Sequence, residues 1–256
     1  MRILFIICLS GLGLLLNAQT NGYQLPVVAF RDGETLTYEL SYGPITGGQV
    51  TGTVKKAGYP FAGLYHAIIV AKTTGIADML YKILDVYESE FDPKTGLPVQ
   101  AIRNVQEGSY RQYIEARYDR EKNIIHSSLS GIHKVPMDTH DITSAFYYFR
   151  SMDYSKMKPG DMIVIQTYFG DEVFALKIRY RGKEVIKTGL GRIACIKFSP
   201  VTEVGRAFAT EDDMHMWLSD DVNHVPIRVK LDLRVGSIKC DLISYSNLLS
   251  DLKRVK

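Results

Sequence analysis

The sequence predicts a mainly β protein: one large, curved antiparallel sheet, half-barrel-like in its meander, with a helix packed on it or between two similar halves. Three observations carry this. From Thr35 onward, apolar and polar residues alternate with a two-residue period in runs rich in β-branched and aromatic side chains, the pattern of half-buried strands. Gly-Pro and Gly-Gly pairs, strong turn formers, punctuate those runs. Between Thr139 and Met152 the period changes to that of a helix.

The elements follow in order. Leu36 to Tyr42 and Gln49 to Val54 read as a hairpin, broken apart by Gly43-Pro44 and Gly47-Gly48. Further strands are expected at Tyr65 to Ala71, Tyr81 to Phe91, Pro98 to Gln106, Tyr110 to Tyr118 and Ile124 to Ser128. Their spacing of roughly 8–14 residues favours a meander over alternating strands and helices. Asp141 to Arg150 reads as a helix capped by Thr139 or Asp141, with Ile142, Ala145, Phe146 and Phe149 on one side. That apolar stripe is a core face, since an amphipathic helix must bury it. Lys158 to Asp161 closes this segment, and a second strand series begins. It runs through Met162 to Phe169, Val173 to Arg181, Glu184 to Lys187, Ile193 to Ser199, Met214 to Ser219, Ile227 to Val235 and Ile238 to Tyr245. Phe91 to Val99 and Ser219 to Ile227 echo each other: both carry an Asp, then an apolar-Pro-apolar triplet at the same offset. Each is expected to be a strand, a polar turn and a strand starting at proline, where the ladder can spare a hydrogen.

At 256 residues, with 46% hydrophobic and 23% charged residues, the composition is that of a globular chain, neither disordered nor membrane-integral. The net charge of +3 is mild, and Lys and Arg form no stripe, so nucleic acid is not an expected partner. Residues 1–18 have the layout of a cleavable signal peptide: Arg2, the apolar run Ile3 to Leu16, then Asn17-Ala18. The run is shorter than the ~20 residues a spanning helix needs. Cleavage is expected after Ala18, although Leu16 stands where a small residue is usual. This leaves residues 19–256 as a single exported β-rich domain, periplasmic or alternatively extracellular. Cys8 lacks the preceding small residues of a lipid-modified cysteine.

Candidate chemistry is sparse. Cys195 and Cys240 could form a disulfide in an oxidising compartment or be two buried small hydrophobes. Glu211 to His215 is the best metal candidate, with Asp213 and His215 on one strand face, but an acidic cluster before a strand is usually a solvated turn and no further ligand is indicated. His133, Asp138, His140 and Asp141 could be drawn as an acid/base set, yet no nucleophile motif accompanies them, and capping explains them more simply. Gly189-Leu190-Gly191 lies between strands, so it is a hairpin turn and not a phosphate loop. No catalytic residue, metal or cofactor is assigned. Sixteen tyrosines and ten phenylalanines can instead line an apolar pocket between sheet and helix, and the candidates are Tyr42, Tyr81, Phe146, Phe149 and Trp217.

Several stretches taken in order resemble a known family. They are Phe30 to Glu34 with Tyr38 to Tyr42 and Gly47-Gly48, then Asp85 to Ser89 with Leu97-Pro98, Asp141 to Tyr148, Tyr180 to Glu184, and Trp217 to Asp221 with Pro226 to Arg228. Together they resemble the bacterial exported family known as domain of unknown function 3108, over about residues 30–246. The resemblance implies a cell-envelope protein of unassigned activity, similar in fold to the half-barrels that carry lipoproteins through the periplasm. It carries over no catalytic residues, and fold does not fix function. The leading expectation is a non-enzymatic binding or carrier protein for a lipid or other apolar molecule. The alternatives are a structural or interaction module docking on an envelope protein, and a metal-dependent hydrolase.

Overall fold

The alternation in the sequence becomes fifteen strands and two helices. The computed structural model describes residues 28–255 other than Arg206, so the expected signal peptide and its expected cut site lie outside the described residues. The first half of the chain gives β1 (Glu34–Tyr42), β2 (Ile45–Lys56), β3 (Tyr65–Thr73), α1 (Gly75–Leu80), β4 (Ile83–Phe91), β5 (Pro98–Glu107), β6 (Tyr110–Asp119), β7 (Ile124–Ser127) and β8 (Gly131–Lys134). The short β9 (His140–Asp141) and α2 (Ile142–Arg150) follow. The second half gives β10 (Met162–Phe169), β11 (Glu172–Thr188), β12 (Gly191–Pro200), β13 (Met214–Ser219), β14 (Pro226–Asp232) and β15 (Ser237–Ser246).

All strands belong to one sheet in the order β8-β7-β6-β5-β4-β3-β2-β1-β15-β14-β13-β12-β11-β10-β9. The chain therefore starts at the centre, steps outward to β8, crosses with α2, and steps back from the other edge until β15 pairs with β1. Every pairing is antiparallel except β9 on β10. The sheet curls, because Ala116, Tyr118 and Ile125 of β6 and β7 share a cluster with Tyr168 of β10, near the opposite end of the strand order.

Four sequence expectations are corrected. The strand expected from Tyr81 begins at Ile83, and the residues before it form α1, entered through Gly75 at φ +58°, a conformation glycine adopts without steric cost. The strands expected at Val173 to Arg181 and Glu184 to Lys187 are one strand, β11, with a register shift between Tyr180 and Gly182. β8 is an additional edge strand whose four residues include one aliphatic side chain, Ile132, and so show no alternation. Finally, α2 is not buried along one stripe. Thr143, Ser144, Ala145, Tyr147, Phe149 and Arg150 are all buried, because the helix lies inside the curl with packing partners on several sides. On one side Tyr147 stacks on Phe91 and meets Phe30 edge-on; on the other Phe149 meets Phe198 edge-on at 5.0 Å. Its start is as expected from the carboxylate: Asp141 accepts N–H bonds from Thr143 and Ser144, and the Ser144 hydroxyl returns to the Asp141 backbone.

The echoed segments do form matching hairpins. β5 and β14 start at Pro98 and Pro226, and the partner strands shift register at Glu90/Phe91 and Trp217/Leu218.

Candidate functional site

The centre of the molecule is filled by an ion pair. Arg150, at the end of α2, is fully buried and donates to both carboxylate oxygens of Glu34 on β1, at 2.6 and 2.9 Å, and to the carbonyls of Ala29 and Asn223. Phe146 and Tyr147 place their rings 5.7 and 5.5 Å from the guanidinium. Burial alone would push Arg150 down, but Glu34 beside it holds the guanidinium above its ordinary range. The pair is dry and engaged, which is the requirement for a buried charge to persist.

A cleft opens elsewhere, at the seam where the curled sheet meets itself. Its walls come from β4, β5 and β6 on one side and from the start of α2 and the β10–β11 turn on the other. Ile102, Ile114, Ala116 and Ile142 make it mainly apolar. Its volume is about 40 Å³. That is space for water and well short of the roughly 300 Å³ at which small-molecule pockets begin.

Among the described residues no strand ladder closes the seam, which is held by bonds that side chains make. Asp171, in the β10–β11 turn, accepts hydrogen bonds from Ser127 on β7 at 2.6 Å and from Tyr168 at 2.5 Å. Ser89 on β4 donates to Asp141 at 2.6 Å, and Arg120 donates to the carbonyls of Met137 and Thr139. The Arg103 guanidinium lies 5.4 Å from the Phe169 ring and bonds Gln112. Burial raises the Asp171 carboxyl, but the hydrogen bonds from Ser127 and Tyr168 outweigh it and leave the group below its ordinary value. Burial takes the Tyr118 phenol well above its usual value, and drives the buried His140 imidazole down to about 3.

The same cleft holds polar atoms without good partners. The Tyr118 hydroxyl, Thr143 Oγ1, Arg103 Nε and Asp171 Oδ2 are buried and make no hydrogen bond. A buried polar atom left unpaired costs roughly 1–3 kcal/mol, and a cleft with room for water is a place where such atoms find partners.

The residues singled out in the sequence lie elsewhere. Tyr42 is exposed at a hairpin tip and donates to the Val235 carbonyl. Tyr81 packs against Gly108, where a Cβ would come within 2.7 Å of its ring. Phe146 and Phe149 fall in different clusters, and Trp217 belongs to a third, where its indole donates to Glu184. None of the five lines the seam cleft. His133 bonds Ser130 and His140 lies tilted against the Tyr148 ring, while Asp141 caps α2. Asp213 is taken up by N–H and O–H bonds from Ala209 and Thr210, and His215 sits 3.6 Å from Asp232. Among the described residues no group of three His, Cys, Asp or Glu side chains is placed to hold a metal. Cys195 and Cys240 are free thiols, in and against one cluster, and burial lifts both to about 12. The second of the two readings, small buried hydrophobes, is the one this arrangement follows.

Sequence reasoning missed Arg103, Tyr118, Tyr168 and Asp171. The first three alternate unremarkably along their strands, Asp171 reads as an ordinary turn residue, and only the curl brings them together.

Residues 37–243 match the model of a family described as a protein of unknown function, DUF3108. The chain belongs to this family. The family reading from the sequence therefore holds over most of the chain. No curated protein matches the sequence. The fold is similar to a β-barrel-like protein of domain of unknown function DUF1849 from Brucella abortus, with a TM-score of 0.55 and 8% identity, covering 86% of this chain and 99% of that one. A Bacteroides fragilis protein of YmcC-like fold aligns over 85% of this chain and 97% of its own, at 10% identity and a TM-score of 0.35. At 8% identity the likeness to the DUF1849 protein concerns fold alone. Among the described residues no helix is long and apolar enough to cross a membrane.

Proposed function

We propose that this DUF3108 protein is an exported, periplasmic binding protein without enzymatic activity, which holds a small amphipathic or lipid-derived molecule at the seam. The reading rests on one observation, the convergence of partnerless buried polar atoms on a cleft whose walls are otherwise apolar. A polar or anionic head would meet Arg103 and the Tyr118 hydroxyl, and an apolar part would meet Ile102, Ile114 and Ile142. The cleft is too small for an acyl chain as it stands, so loading requires the seam to part. Because bonds that side chains make hold it, parting breaks no strand ladder.

Native mass spectrometry of protein recovered from the cell envelope, with uptake of a fluorescent acyl probe, tests the reading. Bound small molecule or probe uptake, weakened by Arg103→Met and Tyr118→Phe, is the expected result. Repeated recovery of empty protein, with no uptake, would overturn it. A second reading, an interaction module acting through its surface on an envelope protein, is favoured by the filled interior around Arg150 and Glu34. It predicts empty protein and a stoichiometric protein partner.

A further inference from the structure

α1 is an anomaly of burial. It contains Ile76, Met79 and Leu80, yet buries none of its residues, and these three are 76, 86 and 80% exposed. A short helix of a globular domain ordinarily turns its apolar side chains to the core. Adjacent hairpin tips continue the surface. The Thr74 N–H bonds the Gly47 carbonyl, joining the start of α1 to β2, which begins at the exposed Ile45. The exposed Tyr42 bonds the carbonyl of Val235, itself exposed in the β14–β15 turn. Three neighbouring tips thus present apolar side chains at one end of the half-barrel, forming a patch of the kind that marks a contact surface.

Position and charge identify the occupant. The side chains project from separate tips, and the strands that carry them, β1 to β4, β14 and β15, are each paired on both sides, so they offer no free edge to receive a peptide. Projecting apolar residues suit a yielding medium. Lys72 and Lys82, both exposed, stand on either side of α1, whereas its carboxylate, Asp78, is engaged by the Thr73 hydroxyl at 2.9 Å. An apolar tip flanked by exposed lysines is complementary to an anionic lipid surface.

We infer that this end of the molecule docks on a lipid bilayer, with Ile76, Met79 and Leu80 entering the interfacial layer and Lys72 and Lys82 meeting anionic headgroups. The inference is independent of any ligand at the seam. Flotation of the exported protein with vesicles of phosphatidylethanolamine and phosphatidylglycerol tests it. Wild type is expected to float, and the triple variant Ile76→Ser, Met79→Ser, Leu80→Ser to lose at least about tenfold in partitioning. Lys72→Glu with Lys82→Glu should weaken binding, and salt should weaken the wild type in the same direction. Tyr59→Ser, at a site 97% exposed in the turn between β2 and β3 at the opposite end, should change nothing. As a second readout, Leu80→Trp should gain a blue-shifted emission when vesicles are added. No flotation of wild type, equal flotation of the triple variant, or self-association that the triple variant abolishes without any vesicle binding would each overturn the assignment.

Discussion

The centre and the seam of this molecule solve the same problem in opposite ways. Both bury polar groups inside a curled sheet. At the centre, the Arg150 guanidinium reaches four acceptor oxygens, two on Glu34 and one each on Ala29 and Asn223, and strands β1 and β15 pair along their backbones beside it. At the seam, β6 and β7 approach β10 without a ladder, and several buried polar atoms have no partner. The difference teaches where the fold can afford to move. A doubly bonded ion pair beside a backbone ladder specifies one arrangement, even with Arg150 Nε left unpartnered, whereas contacts made without a ladder leave a low-cost route to another.

The largest expected effect breaks the centre. Arg150→Met strands the Glu34 carboxylate in a dry interior and should cost about 3–5 kcal/mol in denaturant unfolding, while Glu34→Leu combined with Arg150→Met should recover most of it. Second comes the pH response of the seam edge. His140 is buried on β9, with its imidazole held at about 3 against an ordinary 6.5. The unfolded chain then binds more protons across that window, so this contribution is complete above about pH 6.5 and is lost as pH falls towards 3. It should amount to on the order of 2–3 kcal/mol between pH 6.5 and 4. Asp85, raised by burial to about 6, slopes the other way, its contribution being lost as pH rises through 6. Asp171, His215 and His224, all lowered, slope with His140, so the informative quantity is the wild-type profile minus that of His140→Phe, from which these shared slopes cancel.

Asp171→Ala should cost less, about 1–2 kcal/mol, because it removes the acceptor shared by Ser127 and Tyr168. Limited proteolysis should then cut sooner around β7 and the β10–β11 turn, with the region of α2 unchanged. Smallest is Tyr118→Phe. Deleting a hydroxyl that has no partner should leave stability within about 1 kcal/mol of wild type, or slightly above it. Thermal unfolding of ligand-free protein checks this.

The strands, the capped helix and the paired hairpins at Pro98 and Pro226 were legible because each depends on local period or turn chemistry. α1 was not, because Tyr81 to Phe91 continues a plausible alternation and the helix before it has no buried stripe to betray it. The joining of Tyr180 and Glu184 into one strand was hidden by Gly182, which reads as a break but sits at a bulge, at φ +104°. The seam could not be read at all. Tyr118 and Tyr168 lie 50 positions apart in sequence and share a cluster only because the whole sheet curls. The aromatic candidates named from the sequence were chosen by residue type, and type does not say which cluster a ring joins.

Native-state hydrogen exchange tests the contrast between the two regions most directly. Amides of β7, β9 and the β10–β11 turn should exchange through local openings well below the global unfolding free energy, while those of β1, β15 and α2 exchange only with global unfolding. Uniform protection across both sets would contradict a seam that opens.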